Sequence, residues 1–82
     1  MKVVDLEPGD WLTDPTTPEC YVRYLVDYVM ANCRTFGGPA VQTKTLPSHA
    51  NPVFLIEKDI ADAEGELVIN VWRDGVQIST SR

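Results

Sequence analysis

Residues 17–36, TPECYVRYLVDYVMANCRTF, make the longest stretch dominated by apolar and aromatic side chains, and whatever they form must lie against something else. At about 100° per residue, Val22, Leu25, Val29, Cys33 and Phe36 fall on one line with Val26 beside it. Arg23, Asp27 and Arg34 gather within roughly 40° of one another, leaving a narrow charged strip. Thr17 suits an N-cap, Pro18 the first helical position and Glu19 the positive end of the helix dipole. Arg34 in a last turn and Gly37-Gly38-Pro39 beyond it provide a stop. These signals predict an amphipathic helix over 17–36. Tyr21, Val22, Tyr24, Val26, Tyr28 and Val29 are strand formers and argue the other way. A strand here would show two largely apolar faces, so the capping residues decide for the helix.

The rest of the chain reads as strands and turns. Residues 2–6 are short and valine-rich and end in Glu7-Pro8-Gly9-Asp10, where Pro8 fixes one φ and Gly9 accepts a positive one. Trp11 and Leu12 resume an apolar run before Asp14-Pro15. Residues 41–46 alternate, with Val41, Thr43 and Thr45 on one side, and Lys44 suits an edge strand that must avoid unwanted pairing. Residues 53–58 are more continuously apolar and are expected near the middle of the sheet. Asp74-Gly75 between residues 66–73 and 76–81 predicts a hairpin with a two-residue type I′ turn, setting Arg73 opposite Val76 and Val71 opposite Ile78. Leu67, Ile69, Val71, Val76 and Ile78 then share a core face, and Val68, Asn70, Trp72, Gln77 and Ser79 the other. The expected fold is a single α+β domain over residues 1–82. One antiparallel sheet, open or curved as far as a barrel, carries the helix on one face, in the order β-β-α-β-β-β-β.

Length and charge narrow the function. Eighty-two residues support one modest core, so stability within the chain is thin and burial against a partner is worth having. Twelve acidic residues against seven basic give a net charge of −5, and no two basic residues are adjacent, which argues against binding a phosphate backbone. Asp59, Asp62 and Glu64 lie in an acidic connector that would suit a basic protein partner. Cys20 and Cys33, on a helix, would stand about 20 Å apart along its axis, out of disulfide reach. Two thiols fit a reducing, cytoplasmic setting. Asp5, Glu7 and Pro8-Gly9 interrupt any N-terminal apolar segment, and no run is long enough to cross a membrane as a helix.

No arrangement of residues specifies a reaction. The sole histidine, His49, sits between prolines with no nucleophile or ligand set at a telling spacing, and two cysteines with one histidine fall short of a structural zinc site. No cofactor is implied. Tyr21, Tyr24 and Tyr28 on the helix and Trp72 on the sheet exceed what a small core needs, and such residues favour interfaces. The expectation is a non-enzymatic interaction or assembly module acting on a protein partner or on a second copy of itself. Size and acidity also suit a small accessory protein of the kind phages and mobile elements carry. The alternatives are an enzyme or ligand-binding domain using His49 with a nearby carboxylate, and a single-stranded nucleic-acid binder using the Trp72 face.

Overall fold

The computed structural model describes residues 1–13, 23–44 and 52–79. A 3-10 turn at Val3–Asp5 leads into strand β1 (Trp11–Thr13), followed by β2 (Arg23–Cys33), β3 (Gly38–Lys44) and β4 (Phe54–Ile56). A four-residue helix α1 (Glu57–Ile60) precedes the closing strands β5 (Asn70–Arg73) and β6 (Val76–Ser79). All six strands form one antiparallel sheet in the order β4-β3-β2-β1-β5-β6. The sheet stays open, with β4 and β6 at its margins among the described residues. It is not strongly curled.

The α+β class, with one antiparallel sheet and a single helix, is as the sequence led us to expect; the position of the helix is not. In the described part of the expected helix over 17–36, residues 23–33 form β2, which is eleven residues long and lies inside the sheet between β1 and β3. The only α-helix among the described residues is α1, between β4 and β5. Tyr24, Val26, Tyr28 and Val29 have side chains that pack well on a pleated surface, and two neighbouring strands reward that preference at every residue. Gly37, expected as a helix stop, supplies instead the positive φ (73°) of the turn joining β2 to β3. The proposed cap at Thr17 and Pro18 lies outside the described residues.

Leu12 stands opposite both Tyr24 and Val71, and Val26 opposite Thr43, so these side chains share one face of the sheet. That face carries the core. Leu12, Val26, Val41 and Val71 are fully buried there, covered by Val3 and Leu6 from the N-terminal turn, Ile60 and Ala61 from α1 and its end, and Leu67 and Ile69 from the approach to β5. Thr43, also buried, donates its Oγ1 to the Val53 carbonyl at 2.8 Å, so its hydroxyl costs little.

Four further expectations change. Residues 2–6 form the 3-10 turn and not a strand. The segment starting at Val41 is interior, because β4 pairs on its outer side, whereas residues 53–58 supply the short edge strand β4 and then turn into α1. Asp74 and Gly75 do take the paired positive φ values of a type I′ turn, 53° and 79°, and Arg73 does face Val76. Beyond that pair a bulge shifts the register, so Val71 meets Ser79 and not Ile78, and Val76 and Ile78 are exposed on the edge strand.

Burial at Val41 and exposure at Val76 set up a direct comparison. Val41→Ala should lower unfolding free energy by about 2 kcal/mol, from lost transfer energy and a residual cavity. Val76→Ala should change it by less than about 0.5 kcal/mol. Urea unfolding of the two variants measures both.

Candidate interaction face

Because successive side chains alternate across a strand, the residues next to the core positions point to the opposite face. Trp11 pairs with Leu25 on one side and with Trp72 on the other, which brings both tryptophans of the chain together in the ladder. Across β2 and β3, Leu25 faces Lys44, Tyr28 faces Gln42 and Met30 faces Ala40; across β3 and β4, Phe54 continues from Gln42 and Ile56 from Ala40. A bulge between Val26 and Tyr28 makes this continuity possible. It absorbs Asp27, so Val26 stays with the core while Tyr28 and Met30 remain on the second face with Leu25.

The result is a broad apolar and aromatic surface running from Phe54 to Trp72. Tyr28 is 59 % exposed and Phe54 44 %. Trp11, Leu25, Met30 and Trp72 are half-buried by their neighbours. The indole Nε1 of Trp72 donates to Thr13 Oγ1 at 3.1 Å, which orients the ring against β1. Phe36, from the β2–β3 turn, leans on Phe54 with ring centroids 5.8 Å apart and planes inclined by 40°. Charge is sparse on this face: Lys44 pairs with Asp27 at 3.8 Å, and Arg23 is exposed at one end.

The face is held in place from behind. Asp10, only 2 % exposed, accepts Arg73 Nε on Oδ1 and Arg73 Nη2 on Oδ2, both at 2.9 Å, and also the Glu7 backbone N–H at 2.9 Å. The Asp10 carbonyl accepts the Val26 N–H at 2.8 Å, and Gly9 N–H donates to the Val26 carbonyl at 2.9 Å. Arg73 also reaches the Asp5 carbonyl at 3.1 Å and Glu7 Oε2 at 3.1 Å. One carboxylate and one guanidinium thus tie the N-terminal turn to β5, and the main-chain bonds of Gly9 and Asp10 tie the same turn to β2. Burial works to raise the Asp10 pKa, but the Arg73 hydrogen bonds, the Glu7 N–H and the Arg73 charge together outweigh it and hold the carboxyl below its ordinary value. Arg73 is correspondingly shifted up by its bonds to Asp10.

The acidic connector lies on the core side of the molecule and is engaged locally. Asp62 Oδ1 accepts the backbone N–H groups of Glu64 and Glu66 at 2.9 and 3.0 Å, closing the turn. Lys2 Nζ donates to the Glu64 carbonyl at 2.8 Å and lies 3.6 Å from Glu66 Oε1. The α-ammonium of Met1 donates to Glu66 at 2.6 Å and, with help from Lys2, lowers its pKa. Asp59, Asp62 and Glu64 are all exposed, interleaved with Lys2 and Lys58.

Of the aromatic residues singled out in the sequence, the sheet brings Tyr28 and Trp72 onto one face. It turns Tyr24 to the other, where it packs on the core. Tyr21, His49 and Cys20 lie outside the described residues. Cys33 is a free thiol, but the distance argument that rested on a helix no longer applies. Trp11, Leu25, Met30 and Phe54 are the contributors that sequence reasoning missed. Alternation along 23–30, read as a strand with two apolar faces, would have found half of them. Among the described residues no group of three or more His, Cys, Asp or Glu could hold a metal ion, and no helix is long and apolar enough to cross a membrane. No protein-family model, curated protein or solved structure matches the chain.

Asp10 gives a pH prediction with a definite sign. A carboxyl whose folded pKa lies below its unfolded value of about 3.9 contributes stability in full above that value, and loses it as pH falls through the folded pKa. Urea midpoints should therefore drop on acidification from pH of about 5, and Asp10→Asn should flatten part of that drop. At neutral pH, Asp10→Ala should cost about 2–3 kcal/mol, the range for charge-assisted hydrogen bonds lost at a buried site.

Proposed function

We propose that this chain is a non-enzymatic protein-interaction module, and that its contact surface is the aromatic face of the sheet. One observation carries the reading: Tyr28 and Phe54 stand exposed on the same face as Trp11 and Trp72, while the covering elements among the described residues lie on the opposite face. A sheet with two apolar faces requires a layer on each. Tyrosine and tryptophan bury large area at small entropic cost while keeping a polar tip, which makes them effective contact residues. The free thiol at Cys33 suits a reducing, cytoplasmic setting for this work.

The acidic connector is the weaker candidate for the contact. Its carboxylates serve a turn and a local ion-pair cluster with Lys2 and the N-terminal ammonium, and exposed ion pairs of this kind contribute little energy. Nucleic acid is also less well served. Arg23 and Lys44 are the only cations on the aromatic face among the described residues, and Lys44 is paired with Asp27.

A photo-crosslinking amino acid placed at position 28 or 54, and separately at 59 or 64, tests the assignment in the cells that make the protein. Protein adducts from 28 and 54 with few from 59 and 64 are the expected pattern. Adducts confined to 59 and 64 would move the contact to the acidic side, and none from any position would end the interaction reading.

A further inference from the structure

Resting on that reading, we propose that the layer covering the aromatic face is a second copy of this chain, packed sheet on sheet about a two-fold axis. The first argument is area. Six strands at about 4.8 Å spacing and a mean length near five residues give a planar footprint of roughly 500–600 Å². Two such faces closed on each other bury roughly 1,000–1,200 Å² in total, enough for a specific but reversible interface. Paired sheets pack about 10 Å apart with interdigitating side chains, a spacing that Tyr28, Phe54 and the two tryptophans fill. An extended peptide would cover only part of so wide a face.

The second argument is charge. Two copies each carrying −5 repel unless their carboxylates are kept apart. Among the described residues, the acidic groups other than Asp27 belong to the N-terminal turn, the buried Asp10, the segment from α1 to β5, or the β5–β6 turn. The face itself carries Arg23, Lys44 and Asp27, a local balance of +1, so pairing through it sets the acidic sides at the two outer surfaces. A two-fold arrangement is self-complementary, letting each copy present the same aromatic patch and the same mixed charges to the other.

Two open edges compete for self-association: β4, only three residues long and so a poor template, and β6, whose Val-Gln-Ile-Ser sequence carries no charge. A bulge between Val71 and Trp72 kinks that strand, and bulged edges disfavour continuation of a sheet. The face is therefore the stronger surface.

Sedimentation equilibrium of the full chain, from nanomolar to hundreds of micromolar, tests the proposal together with three variants: Tyr28→Lys, Phe54→Lys and Val76→Lys. All three positions are exposed, so the folds should survive, as far-UV circular dichroism would verify. The expected result is a reversible species of twice 9.2 kDa, weakened at least about tenfold by Tyr28→Lys or Phe54→Lys and unaffected by Val76→Lys. A dimer lost only in Val76→Lys overturns the face in favour of the edge. A monomer throughout overturns the second copy as occupant; crosslinks from positions 28 and 54 to a different protein would then leave the interaction module standing. A monomer whose tryptophan fluorescence is quenched by a short oligothymidylate would overturn both in favour of nucleic acid.

Discussion

The pairing of buried Asp10 with half-buried Arg73 is the contact on which the arrangement of the sheet depends. Asp10 immediately precedes β1, Arg73 closes β5, and the Asp10 carbonyl receives the Val26 N–H of β2, so one residue helps set the mutual register of three strands. A one-residue slip in any of them would send its apolar set to the wrong side. With the register held, Leu12, Val26 and Val71 must meet behind the sheet, and Trp11, Leu25 and Trp72 must meet in front. The aromatic face is thus a consequence of the same contact that organises the core.

The chain is economical in what it covers. A 3-10 turn, four residues of helix and the approach to β5 close one face, and no comparable element among the described residues closes the other. In so short a chain the apolar surface left over is large relative to the core, and burial against another molecule can add as much as internal packing does. Two of the three register shifts in the sheet among the described residues serve the same end from different places. That in β2 keeps Tyr28 and Met30 on the face, and that between β5 and β6 discourages the open edge from competing with it.

Much of this was legible in the residues, and the main failure is instructive. The Asp74-Gly75 turn, the Val41 and Thr43 alternation and the covered face of Leu67, Ile69 and Val71 follow from local chemistry alone. Residues 17–36 carry capping signals for a helix, and a strand there would have two apolar faces where a small sheet is expected to have one. That objection was sound as physics, yet it described the molecule: β2 does have two apolar faces, Val26 toward the core and Leu25, Tyr28 and Met30 away from it. Periodicity could not reveal the bulge at Asp27, because one extra residue breaks strict alternation and lets a strand imitate helical spacing. The edge and interior roles of residues 41–46 and 53–58 depend on which strand pairs outside which, and no local signal carries that. The Asp10–Arg73 pair spans 63 positions and joins residue types common on any surface, so only the fold brings it into view.

Trp11 and Trp72 are the only tryptophans in the chain, and both stand on the aromatic face, so their fluorescence reports on that face alone. The most direct measurement is acrylamide quenching of this emission over a dilution series of the purified chain. The account predicts that the quenching constant falls as concentration rises and the face becomes covered, with the change abolished in Tyr28→Lys. A quenching constant that stays the same across a range in which the chain demonstrably self-associates would contradict it.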